Sequence, residues 1–187
     1  MLHLIASLHL PPSAQAEKLR ALAELFPHGD YLGAGLGVKM ADEISGELTL
    51  SLNILHVTET ELSAQFDSRC PICAGDENMR RVAAEACAAR GMQLEGTMKP
   101  PHHVPAESPF IRTLLESYVK YTGDREAKPL AIGGCTYCHG IENGMAFGCT
   151  MPGTDNHMHG NDEFAVVEEL VASVKIFADA MIGLCGE

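Results

Sequence analysis

The fold of the first half is decided by residues 47–70, which read ELTLSLNILHVTETELSAQFDSRC. Apolar and polar residues alternate in Glu47–Val57 and again in Leu62–Cys70, which is the period of a strand with one buried face. The apolar positions are Leu48, Leu50, Leu52 and Ile54 in the first run and Leu62, Ala64 and Phe66 in the second. Because four polar residues, Thr58–Glu61, join the runs, the segment predicts an antiparallel hairpin.

Helices and one further strand are predicted around this hairpin. Apolar residues at helical spacing predict helices over Leu2–Leu10 and Ala14–Phe26 before it and over Glu77–Arg90 after it. Met92–Lys99 alternates like another strand. This order of elements predicts an α+β fold, a ferredoxin-like open-faced sandwich, over residues 1–103.

A different pattern begins after residue 99. Lys99–Glu107 contains three prolines among nine residues, which is typical of a linker between domains. Ser108 is then a candidate N-cap, and Gly123 a candidate end, of an amphipathic helix. Further predicted elements are short buried strands at Pro129–Ile132 and Met145–Gly148 and a long helix from Asp162 to Leu184. Residues 104–187 are therefore predicted to form an α/β segment of a second domain.

Composition and charge exclude several classes of partner. The net charge is −12 at pH 7, which argues against nucleic acid and against anionic membranes as partners. The apolar beginning, MLHLIASLHLPP, has no basic leader and no cleavage motif, so we interpret it as part of a helix. Seven cysteines do not resemble a secreted disulfide framework. A cytoplasmic protein fits these features best.

The candidate chemistry concentrates in Gly133–Glu163, a stretch rich in glycine, asparagine, aspartate and histidine. Imidazole and carboxylate groups such as those of His159 and Glu163 are common zinc ligands, and the two would share a face if a helix began at His159. The alternative is a solvated helix N-terminus, where Asp162 and Glu163 complement the helix dipole. Spacing alone favours the alternative, because one or two ligands do not make a metal site.

Two CxxC pairs, Cys70/Cys73 and Cys135/Cys138, admit three interpretations. Four thiolates could bind a structural zinc ion, and each pair could also be redox-active. However, 61 residues separate the pairs, and neither pair opens a helix in a thioredoxin-like pattern. Small buried cysteines are the favoured interpretation. Glu168 and Glu169 imitate a paired-carboxylate site, but their position within a helix indicates a solvated face.

Several motifs, taken in order, resemble the end of one enzyme family. They are Gly133-Gly134-x-Thr136-Tyr137, Gly144-Met145-Ala146-Phe147-Gly148, Pro152-Gly153, His159-x-x-x-Glu163 and Lys175-Ile176-Phe177-Ala178-x-Ala180. This series is similar to the zinc-dependent dipeptidases of the PepV/carnosinase-like type, within the aminoacylase and carboxypeptidase metallopeptidase clan. Upstream, Asp67-x-Arg69-x-Pro71 and His103-Val104-Pro105 resemble that family's lid domain.

The resemblance implies a ferredoxin-like lid, a zinc-bearing catalytic domain and hydrolysis of a dipeptide by metal-activated water. It makes His159 a zinc ligand and Glu163 the residue that supports it from the second coordination sphere. The loop from Gly148 to Gly153 would lie beside the substrate carboxylate. His139 stands where the family has an arginine that grips this carboxylate, and a histidine donates fewer hydrogen bonds.

The resemblance covers only the family's C-terminal portion. The remaining metal ligands and the general base belong to an N-terminal catalytic half that would have to be supplied as a partner. We therefore expect weak or absent zinc binding and very poor hydrolysis of a dipeptide substrate by these 187 residues alone. The alternative is a non-catalytic binding or dimerisation module that forms a homo-oligomer through exposed apolar surface or strand edges.

Overall fold

The computed structural model of the chain describes residues 1–134, 136–148, 151 and 153–186. The chain divides into two compact units. Unit 1 comprises Met1–His102 and Ala131–Gly134, and unit 2 comprises His103–Leu130 and Cys135–Glu187. The described elements mix helices with small antiparallel sheets, so the α+β class is confirmed.

Unit 1 begins with two helices, α1 (Leu2–Ala6) and α2 (Ala14–Leu25). The Ser13 hydroxyl accepts a hydrogen bond from the Ala16 amide at 3.2 Å, as expected for an N-cap. The buried face of α2 consists of Ala16, Leu19, Leu22 and Leu25. Helix α1 ends four residues before the predicted Leu10.

The predicted hairpin is present. Strand β3 (Thr49–Val57) pairs antiparallel with strand β4 (Leu62–Arg69), from Thr49 opposite Arg69 to Val57 opposite Leu62, with an irregularity between Leu52 and Ile54. A second, very short pair precedes it, formed by β1 (Ala41–Asp42) and β2 (Gly46–Glu47). Each of these sheets has two strands.

The helix predicted after the hairpin is also present, but the strand predicted after it is wrong. A π-helical turn, Asp76–Arg80, continues directly into α3 (Arg81–Ala88). Residues 92–99 pair with no strand in the part of the chain that the structure describes. Gly96, at φ +124°, breaks the extended path, and its carbonyl accepts a hydrogen bond from Arg80 Nε at 3.0 Å. The alternating side chains of this segment, Met92, Leu94 and Met98, nevertheless pack against the core.

A single hydrophobic core holds unit 1 together. It joins α1, α2 and α3 to the segment before β3 and to β3 itself. Its most deeply buried members are Leu25, Leu36, Val38, Leu48 and Ala83. The hairpin therefore has one buried face. The prediction is wrong for Ile54, because the irregularity between Leu52 and Ile54 leaves Ile54 53% exposed while Leu55 packs against the core.

Unit 2 contains two long helices, α4 (Pro109–Thr122) and α5 (Val167–Cys185). The Ser108 hydroxyl caps α4 by accepting from the Ile111 amide at 3.2 Å, and Gly123 ends the helix at φ +76°. The helices pack through buried residues on facing sides, which are Ile111, Leu114 and Ser117 on α4 and Ser173, Ile176 and Ala180 on α5.

The other elements predicted after residue 123 need correction. Residues 129–132 and 145–148 are not strands, because they find no ladder partner in the described part of the chain. Helix α5 begins at Val167 rather than at Asp162, since the residues before it form a loop with left-handed backbone at three non-glycine positions. No helix among the described residues is long and apolar enough to cross a membrane.

Candidate functional site

The candidate site of unit 2 is the loop that precedes α5, residues 153–166. The loop closes on itself, because the Phe164 amide donates to the Asn156 carbonyl at 3.2 Å. Within it, Gly160 N donates to His157 O at 2.7 Å, and the His157 and Phe164 rings meet edge to face with centroids 5.7 Å apart. The loop is thus a locally hydrogen-bonded unit.

A side-chain hydrogen bond ties this loop to α5. The Thr154 hydroxyl donates to the Glu169 carboxylate, and Glu169 is half-buried. This corrects the interpretation of Glu168 and Glu169 as a solvated face, which now applies to Glu168 alone. The sequence signal was weak, because the partners are 15 residues apart and belong to different elements.

The backbone of His159 contacts the side chain of Glu163. The His159 amide donates to Glu163 Oε2 at 3.4 Å, and His159 has φ +64°. The two residues do not share a helix face, because both precede the start of α5. The His159 side chain is exposed, so its imidazole is available from solvent. Glu163 thereby supports the backbone of the residue for which a metal-binding role is predicted.

Among the described residues, no group of three or more His, Cys, Asp and Glu side chains is arranged to hold a metal ion. A catalytic zinc ion normally needs three protein ligands and one open position. His159 fits as one neutral imidazole ligand. At least one of the other protein ligands of a zinc ion bound there would therefore come from outside the described residues of this chain.

His139 lies in a short 3₁₀ turn, Tyr137–Gly140, and is exposed. Its Nδ1 atom is 3.2 Å from the Thr136 amide nitrogen and 3.1 Å from the Thr136 carbonyl oxygen, and the tautomer decides which of these groups it bonds. Cys138 Sγ contacts Thr136 Oγ1 at 2.7 Å. The ring is therefore held by the turn that carries it, with Nδ1 directed at the backbone.

The two glycines predicted to border the substrate are both exposed. A Cβ atom at either Gly148 or Gly153 would meet no heavy atom within 4 Å among the described residues outside its chain neighbours. Gly153 has φ +84°, a conformation that glycine adopts without strain. The residue before Gly148 is anchored on α5, because the Phe147 and Phe177 rings meet edge to face at 5.4 Å.

Two shallow grooves lie elsewhere on unit 2. One runs along α4 and is lined by Arg112, Leu115, Glu116, Val119 and Lys120. The other is lined by Tyr121 and by Val167, Glu168, Val171, Ala172 and Lys175 of α5. Neither groove includes His139, His159 or the two glycines.

The cysteines fall into distinct environments. Cys87 is buried, and burial raises the pKa of its thiol, whereas Cys70 and Cys138 are half-buried and Cys73 and Cys185 are exposed. All five are free thiols. The prediction of small buried cysteines is therefore wrong for Cys73. Cys135 lies outside the described residues, so its interpretation as a small buried cysteine stays a prediction.

The sequence interpretation missed a polar cluster in unit 1. Asp42 accepts hydrogen bonds from the Ser45 amide at 2.6 Å, the Ile44 amide at 2.9 Å and the Ser45 hydroxyl. It also accepts from the Cys73 amide at 3.1 Å. The Ser45 amide, followed by the other donors, holds the pKa of Asp42 well below its ordinary value. An aspartate that lies two and three residues before its amide donors, here Ile44 and Ser45, is a recognisable sequence signal for a turn. No such signal reveals the hydrogen bond from the distant Cys73 amide.

Comparison with known proteins points to one enzyme class. No protein-family model matches the chain. The chain is 32% identical over 157 residues to "Putative dipeptidase YtjP" of Bacillus subtilis, a match that covers 83% of this chain and 33% of that protein. It is 27% identical over 191 residues to a "Putative dipeptidase" of Staphylococcus epidermidis, covering 100% of this chain and 40% of that protein.

A third relative, "Putative dipeptidase SSP1012" of Staphylococcus saprophyticus, is 26% identical, again covering 100% of this chain and 40% of its own length. These relatives support a dipeptidase family for the chain. The chain spans between a third and two fifths of the length of the curated relatives that it matches.

Proposed function

We propose that this chain forms the C-terminal part of a cytoplasmic, zinc-dependent dipeptidase of the PepV/carnosinase-like type. The observation that carries the proposal is the match along the whole chain to proteins named as dipeptidases. Because the matched region is only 40% of those proteins, hydrolysis requires further residues that correspond to the rest of their length.

In this proposal, residues 1–103 belong to a ferredoxin-like lid. The β3–β4 hairpin, with helices α2 and α3 contributing to its core, supports this assignment. Residues 104–187 belong to the end of the catalytic domain. The packed pair of helices α4 and α5, with the histidine-bearing loop before α5, supports that part.

His159 is the proposed zinc ligand, and Glu163 is proposed to hold the backbone of His159 in place. The exposed imidazole of His159 and the hydrogen bond from its amide to Glu163 support these roles. A bound zinc ion would polarise the peptide carbonyl and lower the pKa of its water. This chain's own contribution is to orient one neutral imidazole on a loop that Thr154 ties to Glu169.

His139, Gly148 and Gly153 are the proposed substrate-binding residues. Both glycines leave open space where a side chain would stand, which suits close approach of a dipeptide carboxylate to the backbone. His139 can donate a hydrogen bond from a ring nitrogen, but not the paired bonds of a guanidinium group. The substrate carboxylate would thus be held more by backbone amides than by a charged fork.

The test replaces the matched region of the Staphylococcus epidermidis relative with this chain and measures zinc-dependent dipeptide hydrolysis. We expect an active, chelator-sensitive chimera. His159→Ala should lower kcat/KM at least about a hundredfold, and Glu163→Ala about 10- to 100-fold. His157→Ala is the matched control, since His157 is also an exposed loop histidine with positive φ, and it should stay within about threefold of the parent.

Circular dichroism should show that each variant folds. Equal losses for His157→Ala and His159→Ala would contradict the assignment of the ligand. A folded but inactive chimera would contradict the proposed function itself.

The chain alone should not hydrolyse dipeptides when zinc is added. The reason is that the described residues include no group of three possible ligands, which a catalytic zinc ion normally needs. The measurement is amino-acid release from a panel of dipeptides, with and without a chelator. Chelator-sensitive release by the purified 187-residue chain would contradict the proposal that further residues are required.

A second candidate function is a non-catalytic association module. It is favoured by exposed apolar side chains along α5, among which Val167, Val174 and Ile182 are each about two-thirds exposed or more. Light scattering as a function of concentration tests it. Self-association that is lost in Val174→Asp and Ile182→Asp would support this function, and a monomer at high concentration would contradict it.

A further inference from the structure

The proposed function leaves the pair Cys70 and Cys73 without a role. They flank Pro71 and Ile72 directly after β4 ends at Arg69. The chain turns here, because the Ala74 amide donates to the Pro71 carbonyl at 3.0 Å. Both thiols are free; Cys73 lies within this turn and Cys70 directly precedes it. Two cysteines with this spacing can close a small disulfide ring if the turn brings their sulfurs together.

The backbone of this turn is held from both sides. From the β1–β2 hairpin, Ser45 Oγ accepts from the Ile72 amide at 2.8 Å and Asp42 Oδ2 accepts from the Cys73 amide at 3.1 Å. From the helix that follows, the Asn78 side chain donates to the Cys73 carbonyl at 2.8 Å. The amide and the carbonyl of Cys73 are thus both engaged. This arrangement limits the conformational freedom that ring closure would otherwise remove.

The two thiols differ in access to solvent. Cys73 is exposed, whereas Cys70 is half-buried and its sulfur lies 3.3 Å from Ser68 Oγ. An external disulfide therefore reaches Cys73 first. Cys70, three residues away, is placed to act second. This division into an entry thiol and a resolving thiol is typical of thiol–disulfide exchange sites.

We propose that Cys70 and Cys73 form a thiol–disulfide exchange site that reacts with small disulfides such as oxidised glutathione. The Cys73 thiolate attacks one glutathione sulfur, the glutathione disulfide bond breaks, and the first glutathione leaves as a thiolate. The Cys70 thiolate then attacks Cys73 Sγ, forming the Cys70–Cys73 bond and expelling the second glutathione.

The reaction balances without a further reactant. The two protein thiols lose two electrons, and one oxidised glutathione gains them to become two reduced glutathiones. The protons released by Cys70 and Cys73 end on the two glutathione sulfurs. The dipeptidase proposal is not needed for this inference, because no residue of unit 2 takes part.

The test uses the full reduced chain, incubated with oxidised glutathione, quenched with acid and analysed by mass spectrometry with peptide mapping. We expect the peptide containing residues 70 and 73 to lose two hydrogens and to retain no glutathione. Cys70→Ser should instead stop with glutathione on Cys73. The adduct on Cys73 should disappear at least about ten times faster in the wild type than in Cys70→Ser.

Cys185 provides an internal comparison, because it is an exposed thiol with no CxxC partner and should keep its adduct. An adduct on Cys73 that persists equally in wild type and Cys70→Ser would overturn the proposal. A disulfide from Cys73 to any cysteine other than Cys70 would also overturn it.

The hydrogen bonds of Ser45, Asp42 and Asn78 to the backbone of Ile72 and Cys73 form a polar clamp, which a separate variant tests. Ser45→Ala removes the acceptor of the Ile72 amide and one hydrogen bond to Asp42. We expect ring closure to slow severalfold while glutathione still attaches to Cys73 at the wild-type rate. A slower ring closure with an unchanged rate of glutathione attachment distinguishes positioning of the two thiols from a general loss of structure. Ring closure at the wild-type rate in a folded Ser45→Ala chain would overturn the role of the clamp.

Discussion

Unit 1 and unit 2 bury their apolar residues in different ways. In unit 1, three helices and a hairpin contribute to one core with several side chains that are almost fully buried. In unit 2, the described helices are α4 and α5, and each buries one stripe against the other. A helix with one neighbour can hide only part of its circumference. Unit 1 therefore has a core of its own, whereas unit 2 keeps much of its apolar surface open.

Helix α5 shows the consequence most clearly. Its stripe of Ser173, Ile176 and Ala180 is buried, but Val174 is 68% exposed and Ile182 is 71% exposed. Exposed apolar surface of this kind marks a region that another surface can cover. Both functions proposed above, a part of a larger dipeptidase and an association module, would use this property of unit 2.

The largest effect that tests this comparison is expected in the core of unit 1. Leu48 is completely buried, so Leu48→Ala should lower the free energy of unfolding by about 2–5 kcal/mol, because it removes apolar contacts and leaves a cavity. Val174→Ala in unit 2 should change it by no more than about 0.5 kcal/mol. Denaturant unfolding monitored by circular dichroism measures both. A loss at Val174 as large as that at Leu48 would break the comparison.

A smaller effect is expected at a close backbone approach in unit 1. A Cβ atom at Gly35 would lie 2.4 Å from Pro27 Cδ and 2.6 Å from the Leu25 carbonyl oxygen. Gly35→Ala should therefore destabilise the chain by about 1–3 kcal/mol through overpacking. Gly140 in unit 2 has open space around the same position, and Gly140→Ala should be neutral or stabilising by up to about 1 kcal/mol. Thermal unfolding of the two variants should separate them, and matching midpoints would contradict this account.

The smallest effect is expected on how the stability of the fold changes at acidic pH. Hydrogen bonds led by that from the Ser45 amide lower the pKa of Asp42 in unit 1, and Lys120, followed by Ser117, lowers the pKa of Asp179 in unit 2. A carboxyl group whose folded pKa is depressed stabilises the fold above its unfolded pKa, near 3.9, and loses that contribution as the pH falls toward the folded value.

Asp42→Asn and Asp179→Asn should each therefore reduce stability at pH 7 and flatten its decline below about pH 4. Urea unfolding at several pH values measures this dependence. The effect of Asp42→Asn should be the larger, because more donors converge on that carboxylate. A decline in either variant as steep as in the wild type would contradict the prediction for that aspartate.

Local pattern predicted the hairpin and helices α2, α3 and α4 well, whereas α1 ends four residues and α5 begins five residues away from the prediction. The alternation in residues 47–70 corresponds to β3 and β4 within one or two residues, and the caps Ser13 and Ser108 begin α2 and α4 as expected. The strand predicted at Met92–Lys99 failed for a different reason. Its side chains alternate and do pack on the core, but a strand also needs a partner for its backbone, which no local pattern reveals.

The candidate site was predictable in its residue types but not in its geometry. The motifs place His159 and Glu163 together. The hydrogen bond from the His159 amide to the Glu163 carboxylate is consistent with that proximity. The expected helix at this position does not form, because His157, His159 and Asp162 adopt left-handed backbone within a closed loop. The ties of Thr154 to Glu169 and of Asp42 to Cys73 lay beyond any short motif.

The sequence by itself determined the β3–β4 hairpin and the caps of α2 and α4, because each depends on neighbours within a few positions. The resemblance to dipeptidases likewise rests on the order of short motifs. Only the tertiary structure decided where α5 begins, why residues 92–99 are not a strand and how the CxxC turn is clamped. Those outcomes depend on hydrogen bonds between groups far apart in the chain, such as the 31 positions between Asp42 and Cys73. Such bonds form only once hydrophobic burial has brought the segments together.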